Sequence, residues 1–385
     1  MGLHARESSK GKIASLGFLV ALVVVSCATN NSSSSSGSNE VSGALSGICP
    51  DTIAIQTDWF PESEHGALYQ LMGDDYVVDV EKKTVKGSLI DASGTDMGVD
   101  IEIRTGGPAI GYSPVTSTMA TDSSITMGYV LTDDAAFNYD KIETLAVVAP
   151  LEINPQIIMW DPETYPDVKT IADLGEAGIT INAFGAASFL QVFIAEGVVS
   201  EEQVDESYDG SPARFIAEGG KIAQQGFASA EPYQYKNEFT EWGKDVAYQL
   251  IHDAGFEIYA APLAIRADEK DELSACLRKF VPLVQQAAID FIDNGSRAVA
   301  IILDTVEKFD DFWVYGEGVA NYSIATMKEL GLVGNGQDST LGNFDFDRAN
   351  RALDKMRAAG LDIPSDLTAE DLYTNEFIDM TIGME

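Results

Sequence analysis

The sequence predicts an α/β protein of two lobes, with mainly parallel sheets, flanking helices and a two-strand hinge. Short apolar or alternating segments repeatedly precede longer amphipathic ones, an order that favours parallel strands joined by crossover helices. The chain has 385 residues, 45% of them hydrophobic, which is enough for two lobes of ordinary domain size. Connecting segments near residues 151–155 and 256–266 indicate that the chain leaves its first lobe and later returns. Lobes joined in this way can close around a ligand.

The composition is strongly acidic. Lysine and arginine number 24 against 61 aspartate and glutamate residues, for a formal net charge of −37. Such a charge repels nucleic acid and anionic membrane surfaces, so neither is expected as a binding partner. It does not by itself define the charge of a ligand, because a pocket can differ from the surface around it.

The N-terminus has the pattern of a secretion signal. Basic residues up to Lys12 precede an apolar run over residues 13–25, which is too short to span a bilayer comfortably. We therefore expect residues 1–26 to be a signal peptide. A small residue directly before Cys27 resembles a bacterial lipobox, and this resemblance implies cleavage before Cys27 and acylation of its thiol. The alternative is an ordinary signal peptide with an incidental cysteine.

Residues 27–49 are rich in serine and glycine. A segment of this composition cannot bury enough apolar surface to offset its ordering entropy, so we expect a flexible tether.

After cleavage, two cysteines remain in the folded body, Cys49 and Cys276. In an oxidising compartment they are expected to form a disulfide, which would join the start of the body to a helix far along the chain. The alternative is a pair of buried, unpaired thiols.

The first strand of the body leads into an unusual turn. Residues 53–56 alternate as a strand, residues 57–61 form the turn, and Ser63 is expected to cap a helix. The turn carries an Asp-Trp-Phe cluster at the carboxyl end of the strand, where an open α/β sheet places ligand-contacting groups. The alternative is that Trp59 and Phe60 only fill the core.

Further elements follow from hydrophobic periodicity. Strands are predicted in a hairpin over 76–90 and over 99–104, 144–150, 157–160, 179–181 and 248–251. Helices are predicted over 171–175, 189–196, 272–294, 298–308, 323–330, 346–359 and 369–377, with a helix and turn over 211–225. We assign residues 50–150 to the first part of lobe 1, 151–258 to lobe 2, and 259–385 to the return to lobe 1 and the C-terminal helices.

Residues at two further turns are candidates to face the cleft. Gly106 and Gly107 follow a strand, and glycines there let the backbone turn sharply or approach a ligand. Tyr112 and Tyr129 lie at the two ends of a segment rich in serine and threonine, and both are candidate cleft residues.

The sequence has no recognisable catalytic pattern. Histidine occurs at three positions, His4, His65 and His252, and no segment has the spacing of a metal site or a nucleophile elbow. The adjacent acids Asp133 and Asp134 are interpreted as turn or surface residues rather than as a catalytic pair. No catalytic residue, metal or cofactor is predicted.

Five segments occur in an informative order: TDWFPESEHGALY, GVDIEIRTGGP, AVVAPLEINPQIIMW, QQGFASAEPY and FEIYAAPLAIR. Together they resemble the substrate-binding lipoproteins of bacterial ABC importers with the two-lobed type II periplasmic-binding-protein fold. More narrowly, the chain resembles the branch related to thiamine-pyrimidine synthases and to nitrate, sulfonate and taurine binders. The resemblance covers about residues 53–302, with an insertion near 76–96. The pattern of Asp58, Trp59, Pro61 and His65 resembles the pyrimidine-type branch.

The resemblance implies a non-enzymatic protein outside the cytoplasm, anchored to the membrane through a lipid at Cys27. It implies a monomer that captures a small molecule between its lobes and delivers it to an ABC permease and its ATPase subunits. The expected ligand is a thiamine-pyrimidine precursor or a similar flat heterocycle. The alternative is a nitrate, sulfonate or taurine binder on the same fold, and less favoured alternatives are a pyrimidine-synthesising enzyme and a surface sensor.

The resemblance and the turn residues together define an expected ligand site. The residues are Asp58, Trp59, His65, Gly106, Gly107, Tyr112, Tyr129, Gly185, Ala186, Gly226 and Glu231. An aromatic face would stack on a heterocycle and carboxylates would accept its ring N–H groups. The alternatives are that Gly106 and Gly226 are plain turn residues and that Glu231 is a surface charge.

Overall fold

Two mixed β-sheets with flanking helices make up the computed structural model, which describes residues 43–185 and 187–385. The predicted signal peptide, the lipid attachment site at Cys27 and most of the predicted tether lie outside the described residues, and so does Ala186. The α/β class predicted from the sequence is confirmed.

The described residues contain twelve strands in two sheets. The strands are β1 (Thr52–Gln56), β2 (Val77–Asp79), β3 (Thr84–Ile90), β4 (Asp96–Arg104), β5 (Met127–Tyr129), β6 (Thr144–Val148), β7 (Gln156–Trp160), β8 (Ile181–Asn182), β9 (Val204–Asp205), β10 (Ala223–Phe227), β11 (Ala247–Leu250) and β12 (Leu263–Arg266). One sheet has seven of these strands in the order β2-β3-β4-β1-β5-β12-β6, and the other has five in the order β11-β7-β10-β8-β9.

Helices pack on these sheets. Within the described residues the α-helices are α1 (Gly66–Gln70), α2 (Val115–Thr121), α3 (Thr132–Asn138), α4 (Ile171–Glu176), α5 (Ser188–Ala195), α6 (Ala213–Ala217), α7 (Glu231–Asn237), α8 (Lys270–Asn294), α9 (Ser296–Phe309), α10 (Glu317–Glu329), α11 (Phe346–Ala358) and α12 (Ala369–Leu372). Short 3₁₀ helices occur at Ser63–His65, Gly107–Ile110, Glu201–Gln203 and Ala267–Glu269. Among these helices, none is long and apolar enough to cross a membrane.

The expectation of mainly parallel sheets was wrong. Of the ten strand pairs in the described residues, four are parallel, namely β1 with β4, β1 with β5, β10 with β8 and β8 with β9. The hairpin strands β2, β3 and β4 are antiparallel because a tight turn joins them without a crossover helix. Strand β12 runs opposite to both β5 and β6 because it brings the chain back from the other sheet.

The chain passes between the sheets twice. Strands β1 to β6 belong to the seven-stranded sheet, β7 to β11 belong to the five-stranded sheet, and β12 returns to the first. Residues 149–155 and 251–262 are therefore the two connecting segments.

Arg348 at the start of α11 binds both connecting segments. Its Nη1 lies 2.8 Å from Oε1 of Glu152 in the first segment. Its Nε donates to the carbonyl of Glu257 at 2.8 Å, and its Nη2 donates to the carbonyl of Ile258, both in the second segment. One buried guanidinium thus links the two crossings.

The start of the folded body is well packed. Leu45 is fully buried in the core, and its N–H donates to the carbonyl of Met97 at 2.9 Å. Cys49 and Cys276 form a disulfide that ties this region to α8. The predicted tether therefore ends too late in the chain, because residues 43–49 are part of the folded body.

Strand β10 was missed by the sequence analysis, which extended a helix and turn over residues 211–225; helix α6 ends at Ala217 instead. The strand carries the buried polar residues Gln224 and Gln225, so its hydrophobic pattern is weak. These side chains are tolerated in the core because they find partners. Gln224 Nε2, for example, donates to the hydroxyl of Tyr235 at 2.8 Å.

Candidate ligand-binding site

A cavity of about 620 Å³ lies where the two sheets and the two connecting segments meet. Residues that follow β1, β4 and β5 line it from the seven-stranded sheet, and residues that follow β8, β9 and β10 line it from the five-stranded sheet. Leu151 and Ala260 add the connecting segments. The volume suits a small organic molecule, and ligands of α/β folds characteristically bind beyond the carboxyl ends of strands.

Trp59 lies at the centre of an aromatic wall. Its ring centroid is 6.0 Å from that of Tyr112, 6.1 Å from that of Phe184 and 6.3 Å from that of Trp313. Phe184 follows β8, so this wall includes side chains from both sheets. Phe60, by contrast, is buried and stacks on Trp313 with ring centroids 4.9 Å apart. Of the two aromatic residues in the turn, Trp59 lines the cavity and Phe60 fills the core.

Gly107 makes room for the Trp59 ring. Its φ of +55° lies in the left-handed region, and a Cβ at this position would fall 3.0 Å from Cε3 of Trp59. A side chain here would be strained and would press on the ring. Gly106 has a different role, since its Cβ would fall 2.2 Å from the carbonyl oxygen of Thr57, and it packs against the backbone of the turn.

His65 contacts the side chain of Asp58. His65 Nε2 lies 2.9 Å from Oδ1 of Asp58, and the His65 ring is almost fully buried. The ring stacks on Tyr129 with centroids 5.1 Å apart and an interplanar angle of 23°. Tyr129 is fully buried and is not part of the cavity lining. The arrangement holds the Asp58 carboxylate at the cavity edge.

Glu231 contributes a carboxyl group from the second sheet. Its Oε2 accepts a hydrogen bond from the N–H of Phe227 at 2.7 Å. A Cβ at Gly226 would lie 2.9 Å from Cγ and Cδ of Glu231, so the glycine lets this side chain cross the end of β10. Burial raises the pKa of Glu231 to about 7, against the lowering effect of the Phe227 N–H, and the Glu64 carboxylate adds a smaller rise.

Further carboxyl groups face the cavity from the segment after β1 and from α3. Burial raises the pKa of Glu62 well above its ordinary value, and repulsion by Glu64, Asp58 and Glu231 raises it further. Burial also raises the pKa of Asp134, and so do the neighbouring charges of Asp133 and Asp58. The side chains therefore destabilise one another's ionised forms when no cation is bound.

Glu64 is the most buried of these carboxyl groups, with 7% of the residue exposed. Its Oε1 accepts a hydrogen bond from the Ser229 hydroxyl, whereas its Oε2 has no partner among the described residues. Burial raises the pKa of Glu64, while the Ser229 hydroxyl lowers it. The site thus contains a buried acceptor that a ligand could satisfy.

The structure brings most of the expected site residues together. Those that line the cavity are Asp58, Trp59, His65, Gly107, Tyr112, Gly185, Gly226 and Glu231. Gly106 and Tyr129 lie behind the lining, and Ala186 lies outside the described residues. A role of the lining residues in ligand binding remains a prediction.

Sequence reasoning missed other lining residues and misread some neighbours. The missed ones include Glu62, Glu64, Asp134, Phe184, Tyr208, Asp209 and Trp313. Asp134 is a cavity residue rather than a surface one, and Asp133 accepts a hydrogen bond from Ser188. Ser63 does not cap the helix; its hydroxyl accepts a hydrogen bond from Tyr315. The acidic run in the turn was a usable signal for Glu62 and Glu64, whereas nothing local points to Trp313.

A larger hollow of about 820 Å³ lies over strands β2, β3 and β4. Its charged side chains satisfy one another: Lys86 lies 3.0 Å from Asp100, and Arg104 lies 2.7 Å from Glu102. Because these charges are paired, the smaller cavity between the sheets is the better candidate for a ligand site.

Solved structures identify the fold. The chain is similar to the ligand-binding component of an ABC-type import system from Staphylococcus aureus, with a TM-score of 0.53, 11% identity, and coverage of 85% of this chain and 97% of that one. It is similar to a protein from Bordetella bronchiseptica RB50, with a TM-score of 0.52, 15% identity, and coverage of 85% and 96%. The alkanesulfonate-binding protein SsuA from Xanthomonas axonopodis pv. citri has a TM-score of 0.50, 14% identity, and coverage of 84% and 98%.

The protein has the periplasmic-binding-protein fold, as the sequence predicted. No protein-family model matches the chain. No curated protein matches it either.

Proposed function

We propose that this protein is the extracytoplasmic solute-binding component of an ABC importer. It captures a small molecule in the cavity between its sheets and delivers it to a permease, whose ATPase subunits supply the energy. The observation that carries the proposal is that one cavity is lined by both sheets and by both connecting segments, so that movement at those segments would open or close it. The Staphylococcus aureus protein that shares the fold is described as a binding component of an import system.

The proposed location is outside the cytoplasm, with a lipid anchor at Cys27 and a monomeric body. The disulfide between Cys49 and Cys276 supports an oxidising compartment. Binding is proposed rather than catalysis, and the recognition work falls to side chains that contact the ligand without forming bonds to it.

The proposed ligand is a flat heterocycle of the thiamine-pyrimidine type. Trp59 supplies an aromatic face, and Asp58 and Glu231 supply acceptors for ring N–H groups. The Xanthomonas protein is described as an alkanesulfonate binder, which keeps a sulfonate, nitrate or taurine ligand as the alternative. That alternative is less favoured because none of the described cavity-lining residues is a lysine or an arginine.

Calorimetric titration and thermal shift of the purified protein test the proposal. The compounds are hydroxymethylpyrimidine, its formylamino precursor, thiamine, riboflavin, taurine, alkanesulfonates and nitrate. A ligand that binds the folded state raises the melting temperature. We expect binding of a pyrimidine, lost in Trp59→Ala and retained in the control Phe312→Ala, whose aromatic side chain is exposed and outside the cavity lining.

The possible results distinguish the solute-binding function from the identity of the ligand. Binding of sulfonates or nitrate alone would reject the heterocycle and keep the importer component. A folded protein that binds no compound of this range would count against the solute-binding function itself.

A further inference from the structure

Carboxyl groups are concentrated in the cavity between the sheets. Six carboxyl side chains line it within the described residues: Asp58, Glu62, Glu64, Asp134, Asp209 and Glu231. None of the described lining residues is a lysine or an arginine. Cavities lined by charges of one sign focus the field and raise the local concentration of opposite charges.

Within the described residues, no lysine or arginine side chain pairs with these carboxyl groups. In the part of the chain that the structure describes, Asp58 is the one member of these six groups that lies within ion-pair distance of a basic side chain, with its Oδ1 2.9 Å from Nε2 of His65. Carboxylates elsewhere are paired with cations, as where Lys244 Nζ lies 2.9 Å from Asp161 and 2.8 Å from Glu163. The cavity thus holds several carboxyl groups close together without a lysine or arginine partner among the described residues.

Glu64 gives an independent indication that a hydrogen-bond donor belongs in the cavity. The residue is 7% exposed and lines the cavity, and its Oε2 has no hydrogen-bond partner in the described part of the chain. A buried polar atom without a partner costs free energy, and a donor from the ligand would recover it. A charged donor would recover more than a neutral one, because hydrogen bonds that involve an ionised group are stronger.

The remaining walls favour an organic cation over a metal ion. Trp59, Tyr112, Phe184, Tyr208 and Trp313 line the same cavity, and aromatic faces attract cations through their quadrupoles. Within the described residues, no group of three or more His, Cys, Asp or Glu side chains is arranged to hold a metal ion. The carboxyl groups are spread around a space of about 620 Å³, which suits an extended ligand.

We propose that the ligand of this cleft is an organic cation whose protonated nitrogen, an ammonium or amidinium group with at least one N–H, is held by the aromatic wall and by the carboxylates of Glu64 and Glu231. This inference rests on the proposed solute-binding function and names its ligand class. A cleft of this kind would bind a positively charged heterocycle more tightly than a neutral heterocycle of the same shape.

The test compares probes of the same shape and different charge on the purified protein. Benzamidine is a planar cation, benzamide is its neutral counterpart and benzenesulfonate is an anion; benzylamine, benzyl alcohol and benzoate form a second series. Calorimetry at neutral pH, at low and high ionic strength, measures each affinity. We expect each cation to bind at least about tenfold more tightly than its neutral counterpart, with an affinity that falls as salt rises, and no binding of the anions.

Two variants test which carboxylates bind the cation. Glu64→Gln and Glu231→Gln are each expected to weaken benzamidine binding about tenfold, because each replaces a charged acceptor by a neutral one of similar shape. Two variants are used because Glu64 is buried and its replacement can prevent folding, which circular dichroism detects. The control is Glu81→Gln, an exposed carboxylate at the turn between β2 and β3 that does not line the cavity.

Each outcome bears on the inference. Equal affinities for cation and neutral counterpart, or tighter binding of the anion, would overturn the cationic ligand and leave the solute-binding function in place. Failure of both cations to bind would also overturn it. If the wider set of solutes named for the proposed function failed as well, the function would fall with it.

Discussion

The hydroxyl of Ser229 donates a hydrogen bond to Oε1 of Glu64. Glu64 follows β1 of the seven-stranded sheet, and Ser229 follows β10 of the five-stranded sheet. A similar bond runs from the Ser188 hydroxyl at the start of α5 to Oδ2 of Asp133 in α3. Two carboxyl groups that follow strands of the seven-stranded sheet thus accept hydrogen bonds from two hydroxyl groups that follow strands of the five-stranded sheet. Both contacts lie beside the cavity.

Removing the Ser229 hydroxyl is expected to destabilise the protein. In Ser229→Ala, Oε1 of Glu64 would lose its hydrogen bond and Oε2 already has none, so a buried carboxyl group would be left without partners. The expected cost is about 1–3 kcal/mol in the free energy of unfolding. Denaturant titration measures it, with the exposed Ser339→Ala as control. Equal stabilities of the two variants would show that the contact contributes nothing.

The ligand-free protein is expected to lose stability as the pH rises from about 4.5 to about 7. Burial raises the pKa of Glu231 from the usual 4.5 to about 7, so between these values the folded chain binds more protons than the unfolded chain. The free energy of unfolding therefore falls over this window, by about 1–3 kcal/mol for this one group. Glu62 and Glu64, whose pKa values burial also raises, act in the same direction.

Melting temperatures measured across this pH range check the effect, and Glu231→Gln isolates it. The variant should have a flatter dependence on pH than the parent protein, whereas Glu81→Gln should follow the parent. A variant with an unchanged slope would mean that Glu231 ionises normally in the folded protein.

Two glycine substitutions separate backbone strain from crowding at Trp59. Gly107 and Gly94 both have positive φ, at +55° and +79°, so replacement by alanine is expected to cost about 1 kcal/mol of stability at each. A Cβ at Gly107 would lie 3.0 Å from Trp59, while a Cβ at Gly94 would have no atom within 4 Å. Gly107→Ala should therefore also weaken ligand binding and Gly94→Ala should not, as calorimetry would measure. Equal binding by the two variants would contradict a role for the Trp59 position.

Arg348 is expected to be essential for joining the connecting segments. Its guanidinium binds Glu152, Glu257 and Ile258 at once and lies 4.1 Å from the ring centroid of Tyr259. A lysine has one ammonium group and cannot reproduce this planar set of donors. Arg348→Lys should lower the free energy of unfolding by about 2–4 kcal/mol.

Denaturant titration of Arg348→Lys would be compared with Arg351→Lys, whose side chain is 55% exposed in its pairing with Glu257. The control should change stability by less than about 1 kcal/mol. Comparable losses in both variants would assign the effect to helix α11 rather than to the connecting segments.

Several elements were predictable because their signals are local. Ile53 and Ile55 are fully buried in β1, and the apolar run over residues 157–160 forms most of β7. The position of Asp58 and Trp59 at the end of a strand was also predicted and is confirmed, because the sequence signals for the strand, the turn and the helix agree there. The fold class follows from the order of such segments along the chain.

Other features could not be predicted from the pattern. Strand β10 carries Gln224 and Gln225 in the core, and their burial depends on partners such as Tyr235 and Phe184 from other segments. The mixed direction of the sheets depends on β7, which runs opposite to its neighbours β10 and β11, and on where β12 returns, and residues close in the chain do not encode either pairing.

The sequence by itself determined the α/β class, most strands and helices, the acidic character and the turn that bears Trp59, because periodicity and turn chemistry depend on residues close in the chain. Only the tertiary structure decided which side chains line the cavity. Trp313 Nε1 donates to the carbonyl of Pro61 across 252 positions, and Glu64 meets Ser229 across 165. The charge and polarity of the site arise from such distant contacts, since burial and mutual repulsion act through space rather than along the chain.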